Sequence, residues 1–342
     1  MPTERRMQQG PSDMARDPSQ PRPIHLDTDF GGDIDDLCAL ALLLATPGVV
    51  LTAVTTNTED AGVRAGYTRY ALAAAGRGDV PVAAGADRRL GCFRLPAEGA
   101  LVPDEVRYWP EPIAPLPGPV EAALDLLEAS VRADAAIVGI GACTNLALLE
   151  ARSPGILRGA HVVLMGGFVA PPRPGFPVWD HTFDWNFQVD VVSAQQVLGA
   201  ATPTLVPIAV TAETALRRSD LPQLRQGGPL AQIIARQAEA FAQDEDLAGR
   251  YAPTCPALSD DFINFLHDPL TVAIALGWDV GVTIADVRLR NTIHEGWLVQ
   301  TPAPDGRTAR VVTAIDGPAF GNYWRDAVTA RRNDHLLEVR PA

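Results

Sequence analysis

IHLDTDFGGDIDDLCALALLLATPGVVLTAVTT, residues 24–56, decides the fold class. Residues 24–27 and 49–56 are short runs rich in apolar and β-branched side chains and read as strands. Residues 36–46 between them are apolar on a helical scale of length. A strand, a helix and a strand in so short a span make a βαβ unit, whose two strands lie parallel. The same alternation continues outward. Strands are expected at 80–84, 135–141, 161–167 and 204–210, and helices at 61–76, 119–133, 144–151 and 190–199. The chain is therefore an α/β protein, a mostly parallel sheet with helices on both faces and a Rossmann-like core.

Beyond about residue 228 the pattern changes. Residues 229–247 and 268–277 read as helices, then 281–290, 294–301 and 309–315 as strands joined by short turns, a C-terminal antiparallel appendage. Residues 1–22 are polar, without periodicity, and read as a disordered leader; 23–342 read as one domain. Two Pro-rich stretches without pattern, 86–118 and 168–183, are long enough to be functional lids.

The charge is −13, from 28 basic and 41 acidic residues, which argues against nucleic acid or an anionic membrane as partner. All 28 basic residues are arginine, so Schiff-base lysines, P-loop lysines and lysine general bases are excluded. The four cysteines, Cys38, Cys92, Cys143 and Cys255, are isolated and suggest a reducing compartment. No apolar run reaches membrane-spanning length and the first residues lack a signal-peptide core, so a cytoplasmic location is expected.

The turn between the first strand and first helix carries five aspartates, Asp27, Asp29, Asp33, Asp35 and Asp36, around Gly31-Gly32. One aspartate there would serve as a helix cap; five exceed what capping uses. In a parallel sheet this turn faces the binding crevice, and carboxylates crowded there call for a hard divalent cation such as Ca²⁺. Three other segments read individually as ordinary helix openings: Gly139–Asn145, Asp184-Trp185-Asn186 and His267-Asp268-Pro269.

Taken together and in this order, the motifs resemble the inosine-uridine-preferring nucleoside hydrolase family. Its aspartate motif is matched by Asp27-Thr28-Asp29-Phe30-Gly31 and Asp35-Asp36, its later turn by Gly141–Asn145, and a strand end by Met165-Gly166-Gly167. The resemblance implies a nucleoside-hydrolase-like fold and a Ca²⁺-dependent enzyme that splits the N-glycosidic bond of a ribonucleoside, with no nucleic-acid or membrane partner and assembly as a homodimer or homotetramer. By position it implies Asp29, Asp36 and Asp268 as metal ligands, together with the carbonyl of Thr144. Asp35 is the implied base that activates water. Asp33 and Ile34 lengthen the motif, so Asp33 is the alternative. Asp184 and Asn186 are implied to hold ribose hydroxyls, with Asn57 or Asp60 as an early polar contact, and His267 to stand near the leaving base. Trp185, Trp179, Trp109 and Tyr108 are either base-stacking or packing residues.

Several positions depart from the family. Asp184 replaces a glutamate, the loop residues Val178–His181 lack the family's asparagine, and 86–118 contain no histidine. Two other readings compete. A binding protein of the same fold could have lost the chemistry. A haloacid-dehalogenase-like phosphotransferase would use an early aspartate as nucleophile, but such enzymes need a lysine that this chain lacks.

Overall fold

The structure, a computed structural model, describes residues 22–31, 33–87 and 107–330. The expected leader falls almost wholly outside these residues, as does most of the 86–118 stretch. Eleven strands occur among the described residues: β1 (Arg22–Thr28), β2 (Val49–Thr56), β3 (Val82–Ala84), β4 (Ala136–Gly139), β5 (Val162–Met165), β6 (Thr204–Val206), β7 (Leu216–Arg217), β8 (Phe262–Asn264), β9 (Thr283–His294), β10 (Trp297–Pro302) and β11 (Arg307–Ala314). Nine make one sheet in the order β10-β9-β11-β6-β5-β4-β1-β2-β3, while β7 and β8 pair antiparallel apart from it. From β11 to β3 all neighbours are parallel. β9 and β10 are antiparallel additions at the β11 edge. This is the α/β architecture with a C-terminal antiparallel appendage that the sequence predicts.

The strand order reverses between β1 and β4. The chain leaves β1 toward β2 and β3, and leaves β4 toward β5 and β6. At such a point the two outgoing connections diverge and open a crevice at the carboxyl ends of the strands. Asp27 pairs with Gly139 at this edge, and the Ile140 amide donates to the Asp27 carbonyl at 2.8 Å. The residues that follow, Asp29 on one strand and Gly141 on the other, are brought into contact. A Cβ on Gly141 would stand 2.7 Å from the Asp29 nitrogen, so only glycine fits there.

The helix Asp35–Ala45 is buried from Asp35 through Leu44: after its two aspartates the run LCALALLL is wholly apolar. It packs against the helices His267–Leu276 and Gly317–Thr329. The Trp324 indole nitrogen donates to the Cys38 carbonyl at 3.1 Å and ties the last helix to the first. Cys38, Cys143 and Cys255 are buried free thiols.

Several expected bounds are corrected. The strand expected to run to residue 210 ends at Val206, because Pro207 has no amide for the ladder and instead precedes the helical turn Ile208–Thr211. The strand expected to reach residue 167 ends at Met165, since Gly166 and Gly167 take φ of 137° and 101°. The helix expected over 229–247 stops at Asp244. Asp246, at φ 43°, breaks it and caps a separate helix, Leu247–Tyr251. The turn between the last hairpin strands falls on Glu295-Gly296, both at positive φ, not before residue 294. The first strand begins at Arg22, inside the expected leader.

Candidate active site

The crevice contains a cavity of about 350 Å³ whose lining includes Asp29, Asp33, Asp35, Asp36 and Asp268. Its foundation is Asp27, fully buried at the end of β1. The Asp27 carboxylate accepts from Thr55 Oγ1 at 2.6 Å, Asn145 Nδ2 at 2.7 Å and Asn57 Nδ2 at 3.1 Å. Asn57 Oδ1 in turn accepts from the Ala142 amide at 3.0 Å. One carboxylate thus stitches the ends of β1, β2 and β4 together. Burial pushes it up to about 6, against the pull of its three side-chain donors.

Above this floor the acidic turn divides its carboxylates. Asp35 and Asp36 open the first buried helix, and Asp268 lies in the first turn of His267–Leu276. Asp35, Asp36 and Asp268 offer oxygens that lie within 4.8 Å of one another. Asp268 also donates its backbone amide to Asp35 Oδ2 at 3.3 Å, and Thr28 Oγ1 donates to Asp36 Oδ1. Burial, then mutual repulsion, drives all three carboxyls well above the usual range. Asp33 is held differently, by Asn264 Nδ2 at 2.6 Å and by the Ile34 amide. Asp29 Oδ2 accepts from the Trp185 indole nitrogen at 3.2 Å.

A buried set of hard oxygens, repelling one another with few donors among them, fits a divalent cation of the Ca²⁺ or Mg²⁺ kind. Nitrogen or sulfur ligands, which a zinc or copper site would recruit, are not in this cluster.

Of the residues singled out from the sequence, Asp29, Asp35, Asp36, Asp268, His267, Trp185 and Asn186 line this one cavity. Three others lie behind it. Asn57 bridges Asp27 and Ala142 as described. Thr144 opens the helix Thr144–Arg152, and its hydroxyl donates to Asp190 Oδ2 at 2.7 Å. Asp184 caps the short helix Trp185–Gln188 and accepts from the Gly167 amide at 2.6 Å; burial pushes it up to about 7. His267, which bonds Thr211 through Nδ1, is pushed down to about 3 by burial and is neutral at pH 7.

The Pro-rich segment 168–183 brings Trp179 against Phe265 (ring centroids 5.0 Å apart), Tyr251 (5.9 Å) and His267 (6.0 Å), and stacks it on Phe183. Its anchors are the ion pair Arg173–Glu213 and the bond from the Ala257 amide to the Gly175 carbonyl at 3.0 Å. Trp109 and Tyr108, the other aromatic candidates, do not line the cavity. Trp109 stacks on Tyr67, and Tyr108 bonds Asp244. The sequence reading passed over Arg64 and Asn264 in the lining, and the aromatic wall of Tyr251 and Phe265. Asn264-Phe265 stands one residue, Leu266, before the His267-Asp268-Pro269 motif, a usable signal.

The family model described as inosine-uridine preferring nucleoside hydrolase matches residues 24–322. Among curated relatives, the pyrimidine-specific ribonucleoside hydrolase RihA of Enterobacter sp. (strain 638) is 28% identical over 281 residues, covering 77% of this chain and 81% of that protein. The protein of the same description from Shewanella baltica (strain OS185) is 30% identical over 277 residues, covering 74% and 77%. Among solved structures, the purine-preferring ribonucleoside hydrolase from Gardnerella vaginalis superposes with a TM-score of 0.69 at 20% identity, over 90% of this chain and 98% of that one.

Proposed function

Because the chain belongs to the inosine-uridine preferring nucleoside hydrolases, and so is a hydrolase of N-glycosyl bonds, we propose that it cleaves a ribonucleoside to ribose and free base with Ca²⁺ held by Asp35, Asp36 and Asp268. The observation that carries this reading is the convergence of those three carboxylates, from two distant helices, at the switch point of the sheet. A divalent ion in that cage supplies Lewis acidity toward water and toward the sugar hydroxyls. The residues around it supply the rest. Departure of the base leaves positive charge on the ribosyl ring, and the buried aspartates stabilise it. Asn186 and Trp185 stand where they can orient the sugar. Trp179 and the neutral imidazole of His267, whose rings are tilted 43° to one another, offer aromatic surface for the base.

The sequence reading gave Asp29 to the ion and the base role to Asp35. The geometry favours the exchange. Asp35 is drawn into the three-carboxylate group, whereas Asp29 lies outside that group with Trp185 Nε1 as its partner. We therefore assign to Asp29 the proton of the attacking water. The family resemblance adds assembly as a homodimer or homotetramer, and the isolated cysteines point to action in a reducing compartment, the cytoplasm. Light scattering and cell fractionation test those.

The deciding experiment is a panel of purine and pyrimidine ribonucleosides, assayed for free reducing sugar with and without chelator. Ribose release that chelator abolishes and calcium restores is expected. Ligand binding without sugar release would overturn the reading in favour of a binding protein. Asp29→Asn is expected to abolish turnover with calcium still bound, and Asp35→Asn to weaken calcium binding. The opposite pair of results returns the base to Asp35.

A further inference from the structure

The cavity has a buried cation of its own. Arg64, in the helix Val63–Ala74, is only 4% exposed and lines the cavity beside the acidic turn. Its Nε donates to the Thr58 carbonyl at 2.9 Å and its Nη1 to the Phe30 carbonyl at 3.3 Å. One guanidinium thereby clasps the segment after β1 to the segment after β2. Both acceptors are uncharged, so these bonds fix the position of the charge without neutralising it. Its field reaches Asp29 and Asp36, and opposes there the effect of burial. An arginine cannot shed its proton to escape such a site, and a guanidinium held by two carbonyls cannot swing out to water.

The carboxylates are unequally provided for. Asp35, Asp36 and Asp268 meet one another, while Asp29 and Asp33 are met by the neutral donors Trp185 and Asn264. Five acids around one cavity, three of them buried and two half-buried, would attract more than one divalent ion from solution. We propose that Arg64 is the fixed second cation of this cavity: it takes the place of a second metal ion beside Asp29 and Asp36, and it holds the site to a single divalent ion of restrained affinity. This rests on the reading of Asp35, Asp36 and Asp268 as cation ligands.

The test is calorimetric titration of calcium into the full chain, without nucleoside. The unaltered protein is expected to bind one ion per chain. Arg64→Gln removes the charge and is expected to bind the first ion roughly tenfold more tightly or to gain a second binding event, since a repelling charge in the same cavity is gone. Arg64→Lys keeps the charge but not the two-carbonyl clasp. It is expected to stay at one ion, within a few-fold of the unaltered affinity. Unchanged or weaker binding in folded Arg64→Gln would overturn the proposal and reduce Arg64 to a clasp. Absence of calcium binding by the unaltered chain would instead sink the ligand reading, and this proposal with it. If Arg64→Gln does not fold, terbium titration of the unaltered chain decides: one ion per chain supports the fixed cation, and two tight ions refute it.

Discussion

The indole nitrogen of Trp185 and the Oδ2 of Asp29 meet at 3.2 Å across 156 residues of chain. The bond joins the acidic turn after β1 to the short helix that follows the Pro-rich segment. It is a neutral donor to a carboxyl that burial pushes upward, and it works against that push. Trp185→Phe keeps the ring and removes the donor. Turnover is expected to fall about tenfold, as for loss of one hydrogen bond to a charged group, with little change in calcium affinity. Parallel steady-state kinetics and calcium titration check it. A large loss of calcium binding would show that Trp185 organises the cage and not Asp29 alone.

Asp268 is the member of the carboxylate group contributed from far along the chain. Asp268→Asn keeps the shape of the side chain and the helix opening. Calcium affinity is expected to drop by at least about a hundredfold, while far-ultraviolet circular dichroism stays unchanged. An affinity within threefold of the unaltered chain would remove Asp268 from the ion.

Gly141 carries no side chain because the Asp29 backbone and Asn57 stand where a Cβ would go, both at 2.7 Å. Gly141→Ala must push β4's end from β1's end. A loss of about 2 kcal/mol of stability is expected, in the range of overpacked cores, with turnover reduced more than in proportion. Chemical denaturation and kinetics measure the two effects separately.

The pH dependence of stability follows from the shifted groups, and its sign depends on the metal. Asp27 and Asp33 are raised to about 6, Asp184 to about 7, and Asp35, Asp36 and Asp268 well above the normal carboxyl range. A carboxyl raised in the folded state holds a proton that the unfolded chain has lost, so its contribution is present below the unfolded pKa and fades as pH rises through the folded one. His25 and His267, lowered to about 3, act oppositely, and their contribution grows from pH 3 to 6.5. In chelator the carboxyls outnumber the histidines. The melting temperature is expected to fall throughout pH 5.5 to 8, because at every point in that range the raised carboxyls outweigh the two histidines. With calcium the decline should vanish, because the ion binds the ionised form. A chelated protein whose melting point rises over that range would contradict the buried cluster.

Strand, acidic turn and helix were readable at 24–56 because apolar spacing and a run of aspartates are local properties. The family resemblance brought Asp268 together with Asp29 and Asp36; that Asp35, and not Asp29, completes the group is visible only in the structure. What escaped was set by tertiary placement. β7 and β8 are two and three residues long, too short to show any period. Asn57 reads as a polar residue at a crevice, yet its amide is spent between Asp27 and Ala142. Arg64 reads as one more charge on a helix, and only the approach of Phe30 from the β1 turn reveals that it is enclosed. The helix Gly317–Thr329 did announce itself, through Asp316 as cap and Pro318 in the first turn, and was overlooked.

The bond from Trp324 to the Cys38 carbonyl has a consequence for how the molecule is made. The helix that presents Asp35 and Asp36 is sealed by a segment translated 286 residues after Cys38, and the sheet is interleaved so that β11 lies beside β6. A nascent chain leaving the ribosome can form the first strands early, but the helix of Asp35 and Asp36 stays uncovered until the helix Gly317–Thr329 arrives. A product cut short before Trp324 would carry every aspartate of the cage and still lack the cover over the helix that presents two of them, so the helix Gly317–Thr329 must be made before the pocket can close.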